Sequence, residues 1–349
     1  MGELLRFSAP RQAHVVEFED EMPGAQQYRI ETLYSGISAG TELTAYRGTN
    51  PYLNRRWVAQ ERLFVDGGTT VDFPIDGTGY EEVGTITAAG PGADMSMVGQ
   101  LVWGDWGHRT SCVRDADWVQ ARVLPDGLDP KLGIFAKIGA IGLNAVLDAD
   151  IHIGETVVVF GAGVPGQIVA QLARLNGARV IVVDPDESRR DLATRLGAAL
   201  TIDPMTNDVA DVVKGLTDHR GADVVVEMSG SYVALQESIR VVAYSSRVVV
   251  SGFYQGEGAA LRLGEEFHHN RVNLVGSQIS GVSPSIQHRW DELRMSRTVL
   301  ALARDGQLNL RDLISHTVTS ADSPAAFEMI DSSPSGVLQV VIDYRTSTD

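Results

Sequence analysis

The sequence predicts an α/β chain in which a doubly wound parallel sheet is inserted into a β-rich domain. Three observations carry this. From Glu155 onward, continuous apolar runs of strand length alternate with amphipathic helical segments. A glycine-rich turn sits between the first of these strands and the first of these helices. Before about residue 125 the runs are instead short, alternating, and broken by Gly, Pro and Asp.

A chain of 349 residues exceeds the usual size of one domain, so two are expected. The segments divide as 1–132 for the first part of the β-rich domain, 133–281 for the nucleotide-binding domain, and 282–349 for the return. Early strands are read from AHVVEF, YRIETLYSGIS, EVGTITAAG and QLVWGDW. Residues 46–74 are polar, hold Arg55, Arg56 and Trp57, and are too long for a turn, which points to a binding loop or lid. The runs TVVVFGAG, ARVIVVDP, ADVVVEMSG and SRVVVSGFY lack polar alternation, as strands covered on both faces do. Helices are read between them, and QHRWDELRMSRTVLALARDGQL reads as one more helix closed by glycine. Only Thr346 to Asp349 read as a disordered tail.

The formal net charge of −16 argues against nucleic acid and anionic membranes, whose binding needs basic patches. Cys112 is the single cysteine, which excludes an intramolecular disulfide and a multi-cysteine zinc site. The N-terminal segment has no signal-like apolar core and no spanning helix, so a cytoplasmic location is expected.

The turn Gly161-Ala162-Gly163-Val164-Pro165-Gly166 follows a strand and opens a helix. Gly161 permits the tight turn, Gly163 lets backbone amides approach a pyrophosphate, and Gly166 lets helix and strand pack closely. The helix start offers unpaired amides to the phosphates, which is how an acidic protein holds an anionic dinucleotide. Asp184, about 20 residues on, stands where a carboxylate accepts the ribose hydroxyls and repels a 2′-phosphate, so NAD(H) is expected over NADP(H). Arg189 and Arg190 lie close behind and temper that preference. Gly230 and Gly252 end later strands at the same edge, either as plain turns or as points of approach to the nicotinamide half.

This arrangement resembles the medium-chain dehydrogenase/reductase superfamily over nearly the whole chain, most closely its sorbitol- and threonine-dehydrogenase-like branch. SGISAGTE and GYEEVG also resemble the bacteriochlorophyllide dehydrogenases of that superfamily. The resemblance implies a GroES-like β-rich catalytic domain around an inserted Rossmann domain. It also implies hydride transfer to or from a small-molecule substrate. Where zinc-dependent members carry a G-I-C-G-[ST]-D motif, this chain has Gly36-Ile37-Ser38-Ala39-Gly40-Thr41-Glu42. Where they carry G-H-E, it has Gly79-Tyr80-Glu81, and Lys137 aligns with the branch's third ligand, a glutamate. Ser38, Tyr80 and Lys137 are poor zinc ligands, so no zinc is expected.

A lysine or tyrosine in place of the metal can transfer or share the proton of the reacting hydroxyl. Lys137 is the first candidate, against a reading as a surface or salt-bridging lysine partnered by Glu81 or Glu42, and Tyr80 assisted by Glu81 is the second. Ser38 and Thr41 are expected to bind the substrate hydroxyl or the nicotinamide ribose. His268 and His269, and a wall of Arg289, Trp290 and Asp291 with Arg55, Arg56 and Trp57, are weaker substrate candidates. A homodimer or homotetramer through the edge strand within residues 271–281 is implied by the resemblance. The leading reading is an NAD-dependent, zinc-independent dehydrogenase of a polyol, sugar or related hydroxylated compound. The alternatives are a zinc-free quinone or enoyl reductase, and a non-catalytic NAD(H)-binding protein.

Overall fold

A computed structural model describes residues 1–332 and 335–345, so the expected tail Thr346–Asp349 lies outside the described residues. The chain forms two compact units: Met1–Lys137 with Ile314–Asp349, and Ile138–Leu313.

In the second unit the apolar runs become six strands, ordered Leu200–Ile202, Arg179–Val183, Thr156–Phe160, Ala222–Glu227, Val242–Val250 and Asn273–Gly276. Every neighbouring pair is parallel. Numbered along the chain, this is the order 3-2-1-4-5-6, with the reversal between Thr156–Phe160 and Ala222–Glu227. The absence of alternation is explained by burial on both faces: Val157, Val158 and Val159 are all sealed from solvent, as are Val225, Val226, Val248 and Val249. Helices Glu187–Arg195, Val209–Leu216 and Tyr232–Val241 begin where Asp186, Asp208 and Ser231 accept amide hydrogen bonds from their own first turns.

The unit boundaries differ from the sequence expectation. Residues 282–313 stay with the sheet, because helix Glu292–Arg304 buries Met295, Val299 and Leu300 there. The Val299 side chain fills the space over Gly139, where a Cβ would stand 2.4 Å from Val299 Cγ1. Gln171 and Asn309 exchange two hydrogen bonds, of 3.1 and 2.8 Å. That helix also starts later than its apolar pattern implied, with Asp291 as its cap. At the other boundary the first unit extends to Lys137, where Gly133 packs on Val83 and Leu124.

The first unit is built on a six-stranded sheet. Ile314–Thr319, Gln339–Asp343, Gln27–Ile37, Glu82–Ala89 and Leu101–Gly104 lie in that order, and Ser111–Asp115 pairs along the earlier half of Gln27–Ile37. The C-terminal strand Gln339–Asp343 runs antiparallel to residues 34–37, which is how the chain returns to this unit. Phe7, Tyr46 and Phe327 form an aromatic core beneath it, with Ile37, Leu43 and Ile330 packed around them. Residues 46–74, read from the sequence as a binding loop or lid, carry regular structure. They hold a helical turn, Pro51–Asn54, and a hairpin, Arg56–Val58 with Leu63–Val65. The rings of Tyr52 and Trp57 lie tilted against Phe64, with ring centres 5.3 and 4.9 Å away, and give this segment a small core of its own.

Candidate active site

In the second unit the glycine turn sits at the carboxyl end of Thr156–Phe160, beside the strand-order reversal. Gly161 has φ +90°, a value that disfavours a side chain, and a Cβ there would stand 2.9 Å from the Ser229 amide nitrogen. At Gly166 a Cβ would stand 1.8 Å from the Gly161 carbonyl oxygen, so helix Val164–Leu175 docks only because the residue is glycine. A Cβ at Gly163 would meet only the Pro165 ring, at 4.0 Å, so this side of the turn is open. Gly163 caps the helix without a side chain, Val164 begins it, and Pro165 occupies the first turn, where its missing N–H costs nothing. The remaining first-turn amides suit an anion.

Asp184 is buried at the end of Arg179–Val183. Its Oδ2 accepts the Ala162 amide at 2.7 Å and its Oδ1 accepts the Asp186 amide at 2.8 Å. Each oxygen keeps a further acceptor site, which is what ribose hydroxyls require. Arg190 donates to the Asp184 and Pro185 carbonyls, both at 2.8 Å, and lies 3.5 Å from Asp203. Arg189 is placed by its carbonyl, which accepts the Gln167 side chain at 2.9 Å.

The sequence reading missed Glu227, which organises the other half of this edge. Fully buried, it accepts the Ser229 amide at 2.8 Å, the Gly230 amide at 3.2 Å, and the hydroxyls of Ser229 and Tyr254. Burial pushes its carboxyl above the ordinary range, against the pull of these donors. A Cβ at Gly252 would stand 2.3 Å from the Gly230 nitrogen, and one at Gly230, where φ is +69°, would stand 2.9 Å from the Phe253 carbonyl oxygen. The Gly230 amide is engaged by Glu227, which suits the reading of these glycines as turns. His268 and His269 precede the amino end of Asn273–Gly276, and the neighbouring Asn270 carbonyl accepts the Ser245 amide at 2.7 Å. They therefore belong to the sheet edge remote from Gly161 and Asp184, not to the cofactor edge. Trp290 lies under the Arg294 guanidinium, 4.1 Å from ring centre, and Asp291 is spent as a helix cap. Arg56 and Trp57 lie on the hairpin of the first unit, and Trp290 and Asp291 belong to the second.

In the first unit, Ser38 follows strand Gln27–Ile37 and Tyr80 precedes strand Glu82–Ala89. The Gly36 amide donates to the Glu81 carbonyl at 2.7 Å and keeps these ends together. The Ser38 and Tyr80 hydroxyl oxygens are 2.5 Å apart. Burial, then the neighbouring Glu81, raises the Tyr80 pKa well above the ordinary phenol value despite hydrogen bonds from Ser38 and Thr41. Tyr80 is therefore a neutral phenol, a donor and not a base.

Behind this pair lies a buried polar chain that sequence reasoning did not find. His108 Nε2 is 2.6 Å from Glu42 Oε2, and its Nδ1 is 2.6 Å from Ser35 Oγ, which donates to Glu82 Oε1 at 2.9 Å. Burial works against charge on His108, but Glu42 and then Glu82 outweigh it and raise its pKa. Burial pushes the Glu82 carboxyl up to about 7. Glu81 points elsewhere: its carboxyl lies where a Gly36 Cβ would be, beside the Gln339 side chain, and burial raises its pKa far above the ordinary value. Burial thus disfavours its charged form, and with it the pairing to Lys137 expected of Glu81. The Lys137 ammonium instead lies 3.9 Å from Asp105. No local signal in WGDWGHRT marks Asp105 or His108, since both acquire their partners only through long-range folding.

A family described as zinc-binding dehydrogenase matches residues 165–296. The D-guloside 3-dehydrogenase of Shigella flexneri is 30% identical over 345 residues, covering 97% of this chain and 98% of its own. The 2-dehydro-3-deoxy-L-galactonate 5-dehydrogenase of Pseudoalteromonas atlantica is 27% identical over 356 residues, covering 94% and 95%. A solved chain from Sinorhizobium meliloti 1021, bound to NADP, has the same fold with a TM-score of 0.78, at 21% identity over 99% of each chain.

Tetrahedral zinc takes thiolate, imidazole or carboxylate. The Ser38–Tyr80 site presents two hydroxyls, and His108 has both ring nitrogens engaged. Among the described residues no group of three or more His, Cys, Asp or Glu is placed to hold a metal. These residues do not fit the ion.

Proposed function

Because this chain belongs to the zinc-binding dehydrogenase family of the medium-chain dehydrogenase/reductase superfamily, we propose that it is a dehydrogenase of sugars, polyols or related hydroxylated compounds that works with NAD(H) and without zinc. The observation that carries the reading is the Ser38–Tyr80 hydroxyl pair, standing at the positions aligned with two metal ligands of the superfamily.

Bound NADH supplies a hydride, and bound NAD⁺ accepts one. The protein's part in the reducing direction is to hold a proton ready for the substrate oxygen. Tyr80, kept neutral by burial, donates to the carbonyl oxygen as charge develops there, and Ser38 orients the phenol. Lys137, whose ammonium lies 3.9 Å from Asp105, is the second candidate for the proton role. In the second unit the Gly161–Gly166 turn takes the pyrophosphate, and Asp184 takes the ribose hydroxyls, which supports NAD(H) over NADP(H).

Relatives that act on a guloside and on a sugar acid support a secondary alcohol on a hydroxylated substrate. The net charge of −16 supports an enzyme of small molecules over a protein that binds nucleic acid or an anionic membrane. The half-exposed edge strand Asn273–Gly276 supports a homodimer or homotetramer paired through it.

The test is a panel of sugars, polyols, enones and quinones with each nicotinamide cofactor, read by nicotinamide absorbance. Turnover of sugars or polyols with NAD⁺ is expected. Turnover confined to enones or quinones with NADPH would replace this reading with a reductase, and failure across the panel would favour a binding protein.

A further inference from the structure

We propose that His108 is a positioning residue for the Ser38–Tyr80 pair, acting through Glu42; the proposal rests on the proton-donor reading of Tyr80. Glu42 grips Ser38 from both sides: its Oε1 accepts the Ser38 amide at 3.0 Å, and its own amide donates to the Ser38 carbonyl at 3.1 Å. His108 holds the other carboxylate oxygen of Glu42 at 2.6 Å. Contacts therefore run without a break from His108 through Glu42 and Ser38 to the Tyr80 hydroxyl.

A second path returns from His108 through Ser35 to Glu82, two residues along the chain from Tyr80. The Trp106 amide, at 2.8 Å from Glu82 Oε2, ties this path to the loop that carries His108. The two paths close a ring around the hydroxyl pair. The link from Glu42 to Ser38 is through backbone groups, so the ring fixes geometry and does not conduct a proton to Tyr80.

His108, Glu42, Glu82 and Ser35 are all buried, beside the Phe327 ring at 5.9 Å from His108. Ionic groups in such a place lose hydration that an apolar side chain would never have needed. Gly79, with φ +111°, is shaped to this arrangement: a Cβ there would stand 2.8 Å from Glu82 Oε1 and 2.9 Å from His108 Cε1. An imidazole offers two opposed polar atoms at fixed separation, which is the shape needed to join Glu42 and Ser35.

His108→Leu and His108→Gln separate positioning from mere packing. Expected for H108L is a fall in kcat of at least tenfold with the NADH dissociation constant unchanged, and partial recovery in H108Q, whose amide reaches Glu42. In a double-mutant cycle, H108L added to Tyr80→Phe costs nothing further. Independent, multiplying losses, or a lowered Tm with unchanged kcat, would overturn the proposal. Should H108L fail to fold, Glu42→Gln and H108Q enter the same cycle. The ¹⁹F resonance of 3-fluorotyrosine at position 80, assigned by Y80F, reads the geometry without turnover. It is expected to move in H108L and H108Q while that of exposed Tyr244 stays. An unmoved Tyr80 resonance overturns positioning even if the enzyme is active, whereas a moved one in a protein inactive on the whole panel sinks only the dehydrogenase reading.

Discussion

The Asp184 carboxylate accepts the Ala162 amide at 2.7 Å, inside the glycine turn. One side chain thus fastens the glycine turn and, in the proposed function, also offers acceptors to the ribose. Asp184→Asn keeps the shape but turns one acceptor into a donor and removes the charge. The ratio of kcat/KM for NADH over NADPH is expected to fall at least tenfold. Loss of a buried charge-assisted bond, worth about 1.5–3 kcal/mol, should also lower Tm by several degrees. An unchanged cofactor ratio would show that selectivity lies elsewhere.

Tyr80→Phe removes the proposed donor and leaves the ring. About a hundredfold loss in kcat is expected, the lower end for general acid catalysis, with NADH affinity retained because the nucleotide residues lie in the other unit. Ser38→Ala should cost less, about tenfold, since Ser38 acts by orienting the phenol. If Lys137→Ala proves crippling while Y80F is mild, the proton role passes to the lysine.

The buried carboxyl and imidazole give stability a definite pH dependence. Glu82 titrates near 7 in the folded chain against an ordinary 4.5, so between those values the folded state holds a proton that the unfolded state has lost. Stability therefore falls as pH rises through that window, by up to about 1.4 kcal/mol per unit. His108, raised above 6.5, has the same sign: its contribution is complete below 6.5 and is lost as pH rises through its folded value. Tm measured by calorimetry should decline from pH 5 to 8, and Glu82→Gln should flatten the part below pH 7. A Tm that climbs across this range would contradict the burial of Glu82 as an acid.

Much of this was legible in the sequence because the signals are local. The parallel sheet follows from apolar runs without alternation, such as Thr156–Phe160. Gly161, Gly166 and Asp184 are set by backbone demands that few other residues satisfy. Ser38 and Tyr80 were visible as departures from a metal motif, although their mutual contact was not. What stayed hidden depends on distant partners. His108 reads as an ordinary polar-loop residue until Glu42, 66 residues away, is brought to it. Glu227 sits in an apolar run where its carboxylate looks misplaced, and only the folded loops supply its four donors. Residues 282–313 looked like the start of the return because their strand ended, while the packing of Val299 on Gly139 keeps them with the sheet.

Metal independence is open to direct measurement, and the family's description makes it a sharp one. The hydroxyls of Ser38 and Tyr80 bind zinc poorly at neutral pH, and raising the Tyr80 pKa makes its phenolate still less available. Protein dialysed against 1,10-phenanthroline should therefore keep its full turnover, with zinc well below one equivalent by elemental analysis. Added zinc should not increase the rate. The converse engineering is equally informative: Ser38→Cys with Tyr80→His supplies thiolate and imidazole, and should raise zinc affinity while abolishing the metal-free rate, because the phenol donor is gone. Turnover that follows zinc content in the unmodified protein would return the chemistry to a Lewis acid and leave Tyr80 a structural residue.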